Sequence, residues 1–131
     1  MKIQYYIRIE GDKSKLQALN QDFACALGGN IVERRGKGYP LADSRPSYWM
    51  SKKVDSTFEN LSCDLAAFLQ SVVDLPHLDL DKEVNVTVVV VATCHEESKR
   101  PGLYLAAELI RLIGVLGASL DYDIVSYLGD Q

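Results

Sequence analysis

No run of apolar residues in the sequence is long enough to cross a bilayer. The longest, "VTVVVVATC" at residues 86 to 94, falls far short of the ~20 residues a spanning helix needs. The opening stretch, "MKIQYYIRIEGDKSK", breaks its apolar positions every second or third residue and so lacks the continuous apolar core of a secretory signal. Cysteine is scarce: Cys25, Cys63 and Cys94 are odd in number, widely spaced and without a CxxC pair, which argues against a disulfide framework and a zinc knuckle. Histidine is scarcer still. His95 in "CHEE" neighbours Cys94, Glu96 and Glu97, but a zinc site needs three or four converging ligands at recognised spacing, and His77 in "LPHLDLD" is isolated. Neither metal nor any other cofactor is expected, and the chain reads as a reduced, cytoplasmic, bacterial-type protein that makes no use of a membrane.

Familiar signatures are missing too. "RRGKG" at residues 34 to 38 sets three cations beside two glycines, a composition suited to phosphate. A Walker loop, however, needs GxxxxGK[ST] between a strand and a helix, and a dinucleotide site needs GxGxxG there, whereas this stretch leads toward another strand. There is no GxSxG elbow for a serine nucleophile. Arg35, Lys37, Tyr39, Tyr48 and Trp49 interleave cations with aromatics as a single-strand nucleic-acid surface does, but a sequence pI near 5.1 and the lack of a recognised motif set nucleic acid aside. Cys25 and Cys63 fall at or near apolar helical stripes, where cysteine acts as a small hydrophobe.

What is present is an ordinary globular composition: 131 residues, 47% hydrophobic, 24% charged and a mean hydropathy of -0.04. That length suits one domain, residues 1–131, with a core large enough to dispense with covalent staples. The net charge of -4 is spread unevenly. Residues 31 to 53 hold six cations against two carboxylates; residues 74 to 97 hold Asp74, Asp79, Asp81, Glu83, Glu96 and Glu97 against Lys82 alone. Such asymmetry steers charged partners.

Periodicity orders the chain. "KIQYYIRIE" alternates Ile3, Tyr5, Ile7 and Ile9 against polar neighbours, the period of a half-buried strand. Leu16, Leu19, Phe23 and Leu27 fall at helical spacing, and Gly28 and Gly29 supply a stop. "NIVERRG" and "SYWMSKKV" read as two strands of a hairpin with a long connection. Ser56 with Glu59 fits a capping box for a helix carrying Phe58, Leu61, Leu65, Phe68, Leu69 and Val72. "EVNVTVVVVAT" turns from alternating to apolar on both faces, as an interior strand does. "LYLAAELIRLIGVLG" is apolar over most of its circumference, which predicts the most deeply buried helix, stopped by Gly117. "SLDYDIVSYL" makes a last strand, with Asp121 and Asp123 pointing to solvent while Leu120, Tyr122 and Ile124 fill the core. The expectation is an α+β domain of order βαββαβαβ, with a mostly antiparallel sheet of about five strands and three helices, ferredoxin-like in its first six elements.

Four stretches together resemble a bacterial family, domain of unknown function forty-two seventy-nine: "YYIRIEGD", the lone Trp of "SYWMS", "LSCDLAAFLQSV", and the ending "LYLAAELIRLIGVLGASLDYDIVSYL". The most specific part is that ending, through Pro101, Leu103, Leu105, Glu108, Leu109, Gly117, Leu120, Asp121, Asp123 and Ile124. The resemblance implies an α+β domain without assigned catalytic residues, in a family with members that look like immunity proteins encoded near contact-dependent toxins. The function expected is therefore a non-enzymatic binding protein that neutralises a cognate, basic toxin domain. Asp74, Asp79, Asp81, Glu83, Glu96 and Glu97 form its expected contact, since an inhibitor can place carboxylates where a nuclease groove holds phosphates. Two alternatives stay open: a small hydrolase or ligand-binding enzyme using Asp121 and Asp123, and a self-associating structural protein, which leaves room for a homodimer.

Overall fold

The computed structural model describes residues 2–32, 48–75, 84–94 and 102–126. Its centre is the pairing of β1 (Lys2–Glu10) with β5 (Asn85–Cys94), antiparallel along the whole of β1. Because side chains alternate across a strand, this register sets Ile3, Tyr5, Ile7 and Ile9 beside Ala92, Val90, Val88 and Val86, and all eight are buried. Each of the larger ones stabilises the fold by about 1.5–3 kcal/mol on burial. The paired strands thus form the floor of the core.

The helices supply the roof. α1 (Lys13–Leu27) turns Leu16, Leu19 and Phe23 inward, and Gly28, at φ +59°, ends it with a conformation that side-chain-bearing residues rarely adopt. β2 (Gly29–Val32) follows and pairs antiparallel with β3 (Tyr48–Ser51). Gly29 has φ +148°, and a Cβ there would run into the Met50 carbonyl oxygen and the Trp49 ring, so the glycine lets the two backbones close over the indole. Trp49 is fully buried, packs on Phe23 at a ring-centroid distance of 5.4 Å and donates its Nε1–H to Asn20 Oδ1 at 3.0 Å. That bond fastens α1 to the sheet.

β4 (Val54–Ser56) continues β3 along the same flank of β1, but in a shifted register. Arg8 lies opposite Met50 while Tyr5 lies opposite Val54, so three residues, Ser51 to Lys53, face two of β1. This is a β-bulge, and its extra residue exchanges the inward and outward positions of the strand. Trp49 and Ser51 point into the core before it; Val54 takes the inward side after it, and Lys53 and Asp55 are turned to solvent. At the break the Ile7 N–H donates to Ser51 Oγ at 2.9 Å, a buried hydrogen bond that stands in for the interrupted ladder.

α2 (Leu61–Val73) buries Leu61, Leu65, Leu69 and Val72, and Phe68 meets Tyr5 edge-on at 5.3 Å. The capping box expected from Ser56 and Glu59 does not form. Ser56 is the last residue of β4, paired with Ile3; its Oγ donates to Asp64 Oδ2 at 2.8 Å, and the helix starts after Asn60. α3 (Ala107–Val115) packs beside α2 and ends in a Schellman turn: the Ala118 N–H donates to the Ile113 carbonyl and the Gly117 N–H to that of Gly114, with Gly117 at φ +61°. It is not the most deeply buried helix. Leu109 and Leu112 are buried, whereas Ile110 and Val115 are more than half exposed, because the helix ends the layer and has a helical neighbour on one flank.

β6 (Ser119–Ser126) lies parallel to β5, and the sheet order is β2-β3-β1-β5-β6 with β4 beside β1. The first four strand positions are antiparallel and ordered as in a ferredoxin-like sandwich, as expected. Two details differ: the bulge divides one expected strand, making six, and the final pair is parallel because α3 carries the chain back to the starting end of β5. α1 contacts β2 and β3, α2 lies over β1 and α3 follows beyond α2, so the three helices cover one face of the sheet.

Two substitutions probe this frame. Ser51→Ala leaves the Ile7 N–H buried without a partner and lowers unfolding stability by about 1–3 kcal/mol in urea titration. Gly29→Ala costs at least as much, since it adds a clash to an unfavourable φ.

Candidate functional site

Among the described residues no helix packs on the second face of the sheet, and the outward half of each strand is displayed there. The register brings side chains from distant parts of the sequence into rows. Tyr6 stands beside Val89 and then Asp121; Gln4 stands beside Val91 and then Asp123; Arg8 stands beside Thr87 and then Ser119. Val89 is buried even on this face, and Tyr6, Arg8 and Asp121 are half-buried around it, so the polar groups stand on an apolar floor.

The electrostatics divide the face. On its β1–β4 side Lys53 Nζ sits 5.6 Å from the Tyr6 ring centroid, Gln4 Nε2 donates to Asp55 Oδ1 at 2.8 Å, and Arg8 Nε lies 3.4 Å from Glu10 Oε1. Arg8 Nε is shielded from solvent and has no hydrogen-bond partner among the described residues. On the β6 side Asp121 and Asp123 stand two residues apart on the same outward face of the strand. Partial loss of solvent, then the charge and hydrogen bond of Asp121, make Asp123 hold its proton more tightly than an ordinary aspartate, with Arg8 acting in the opposite sense. Burial pushes the Tyr6 phenol up; Arg8 opposes this, and Tyr48, Asp123 and Asp121 add to it. Tyr6 therefore remains a hydroxyl donor at neutral pH.

Aspartates 121 and 123 thus lie on the outward face as expected, the first half-buried and the second exposed. Leu120 and Tyr122 pack against the core, while Ile124 is 37% exposed at the sheet margin rather than filling it. Of the acidic segment, Asp74 is an exposed residue capping the end of α2, where its Oδ1 accepts from Gln70 Nε2 at 2.9 Å. Asp79, Asp81, Glu83, Glu96 and Glu97 lie outside the described residues, as do His77, His95 and the "RRGKG" stretch.

A concavity of about 400 Å³ lies between the start of α2 and the approach to α3, its lining including Phe58, Leu61, Cys63, Ala66, Leu103 and Tyr104. Cys63 is exposed here, not the core hydrophobe its position near an apolar stripe suggested. A further cleft of about 390 Å³ beside β2 and β3 is lined by Gly28, Asn30, Met50 and Lys52 among others. Neither contains the aspartates. Among the described residues no group of three or more His, Cys, Asp or Glu is placed to hold a metal ion, and no helix is long and apolar enough to cross a membrane.

Tyr6 and Arg8 were not singled out by sequence reasoning. The signal was present in the outward positions of "KIQYYIRIE", which carry a large aromatic and a cation, but their link to Asp121 depends on β5 lying between β1 and β6. No family model matches the chain, and neither a curated protein nor a solved structure is significantly similar to it.

The tighter hold of Asp123 on its proton has a thermodynamic consequence. An unfolded chain releases the Asp123 proton near pH 4, below the pH at which the folded chain does, so the folded state binds more protons across that window. The stability this supplies is complete in acid and is lost as pH rises through the folded value. Asp123→Asn, which keeps a hydrogen-bond donor beside Asp121, therefore raises Tm at neutral pH, and the gain vanishes in acid. Thermal melts across pH check this; an equal shift at every pH contradicts it.

Proposed function

We propose that the chain is a non-enzymatic binding protein, an immunity protein that neutralises a cognate bacterial toxin by direct binding in the cytoplasm. The carboxylate-bearing side of the open sheet face is its contact surface. The observation that supports this reading is the pair Asp121 and Asp123, two residues apart on one strand face and standing beside buried Val89 on a partly apolar platform. Five strands at about 4.8 Å spacing and some 25 Å of strand length give a platform on the order of 500 Å², approaching the ~800 Å² per partner of a standard protein interface. A guanidinium or ammonium from a basic partner relieves the repulsion between the two carboxylates. Complementary charge also accelerates encounter, which an inhibitor of a lethal enzyme requires. Asp74 and the other carboxylates of residues 74 to 97 extend the negative character of the chain in this proposal.

The placing of the two carboxylates side by side on one strand face also favours a second reading, a hydrolase in which one aspartate serves as acid and the other as base. Efficient acid–base catalysis draws on a water-excluded cleft, and Asp123 is exposed on a face. Binding is the better fit.

The test searches beside this gene for a toxin-like reading frame, whose absence counts against the proposal, and uses its product. Its C-terminal domain forms a complex with the chain, and co-expression protects cells. Asp121→Lys with Asp123→Lys weakens the complex about tenfold or more and flattens its salt dependence. A toxin domain that neither binds nor is neutralised overturns the immunity reading, and hydrolysis abolished by Asp121→Asn establishes the second.

A further inference from the structure

β6 is an end strand of the sheet order, and among the described residues it pairs with β5 alone. A strand paired on one side alone among the described residues presents backbone N–H and C=O groups on its other side to a strand that can match its flanks. Those flanks are unlike each other. Toward the open face stand Asp121, Asp123 and the exposed Val125; toward the helical face stands the exposed Ile124.

α3 continues the apolar flank. Glu108 lines the concavity against α2, so that side of α3 faces α2. Ile110, two residues on and about 160° around the helix, is turned away from the Glu108 side, and it is 55% exposed. All the exposed large hydrophobic side chains among the described residues, Tyr104, Ile110, Val115, Ile124 and Val125, belong to the stretch from 104 to 125 that builds this end of the molecule.

Charge selects the occupant. A second copy pairing antiparallel through its own β6 would bring Asp121 and Asp123 of one chain against those of the other, and like charges opposed across a ladder are destabilising. An extended segment with a cation at every second position meets the same carboxylates favourably. We propose that the β6 edge takes up an extended segment of a basic partner as an additional strand. Cationic side chains at alternate positions of that segment face Asp121 and Asp123, and the apolar side chains between them rest on Ile124 and Ile110. The proposal rests on the reading of the chain as a binder of a basic partner, and adds the mode: backbone hydrogen bonds supply affinity, and the two flanks supply specificity.

The probe is a capped eight-residue peptide alternating Lys and Val, compared with its Glu/Val counterpart and with Lys/Val peptides N-methylated at every second residue, in both phases. Titration calorimetry finds the Lys/Val peptide bound and the Glu/Val peptide bound at least tenfold more weakly; N-methylation in one phase abolishes binding and in the other does not. Amide hydrogen exchange slows at alternate residues of β6. Asp121→Lys with Asp123→Lys inverts the preference toward Glu/Val, and Ile110→Glu weakens the Lys/Val peptide about tenfold while circular dichroism remains unchanged. Binding indifferent to N-methylation in both phases, or protection absent from β6, overturns strand addition but leaves a toxin-binding face intact. Failure of the toxin domain itself to bind overturns the underlying reading whatever the peptides do.

Discussion

The hydrogen bond from the Ile7 amide to Ser51 Oγ sits at the one point where the sheet changes parity, and much of the molecule depends on that change. Trp49 must point inward to meet Phe23 and Asn20, and Val54 must point inward to face the same core, yet they are five residues apart. A regular strand turns such a pair to opposite faces. The bulge removes the conflict by inserting one residue, and the serine hydroxyl supplies the acceptor that the displaced backbone no longer offers. Without it Lys53 and Asp55 would be driven into the core.

The same parity change furnishes the open face. Lys53 reaches the Tyr6 ring and Asp55 receives the Gln4 amide only because both lie beyond the bulge. The face is therefore mixed in charge on its β1–β4 side, where Lys53 and Arg8 stand with Asp55 and Glu10, and negative along β6, with buried Val89 between. Helices on one side alone leave this second surface of the sheet to be used, and the parallel return of β6 brings two carboxylates to it from the far end of the chain.

Strand β1 and the apolar stripe of α2 were legible in the sequence because a single period governs each: two in Ile3, Tyr5, Ile7 and Ile9, and three to four in Leu61, Leu65, Leu69 and Val72. The misreadings share a cause. "SYWMSKKV" reads locally as one strand, whereas Trp49 and Val54, five residues apart and both turned inward, require a bulge between them. The box from Ser56 to Glu59 was outweighed by pairing of Ser56 with Ile3. The apolar circumference of α3 suggested depth, but depth depends on neighbours, and the end of a layer has fewer of them. The aspartates were visible as an alternating pair, whereas Tyr6 and Arg8 became part of the site only through the order of the strands. Sheet order is a long-range property that no local window contains.

The pairing of Lys2 with Thr93 has a meaning for the life of the molecule as well as for its shape. β1 is synthesised some eighty residues ahead of β5, so at about 5–20 residues per second a growing chain carries β1 for several seconds before its longest partner exists. Its inward row of isoleucines and tyrosine has α1 for early company and nothing else of comparable length. The price of placing the earliest strand at the centre of the sheet is a folding reaction governed by distant contacts, slow by the standards of small proteins, with an aggregation-prone strand waiting at its start.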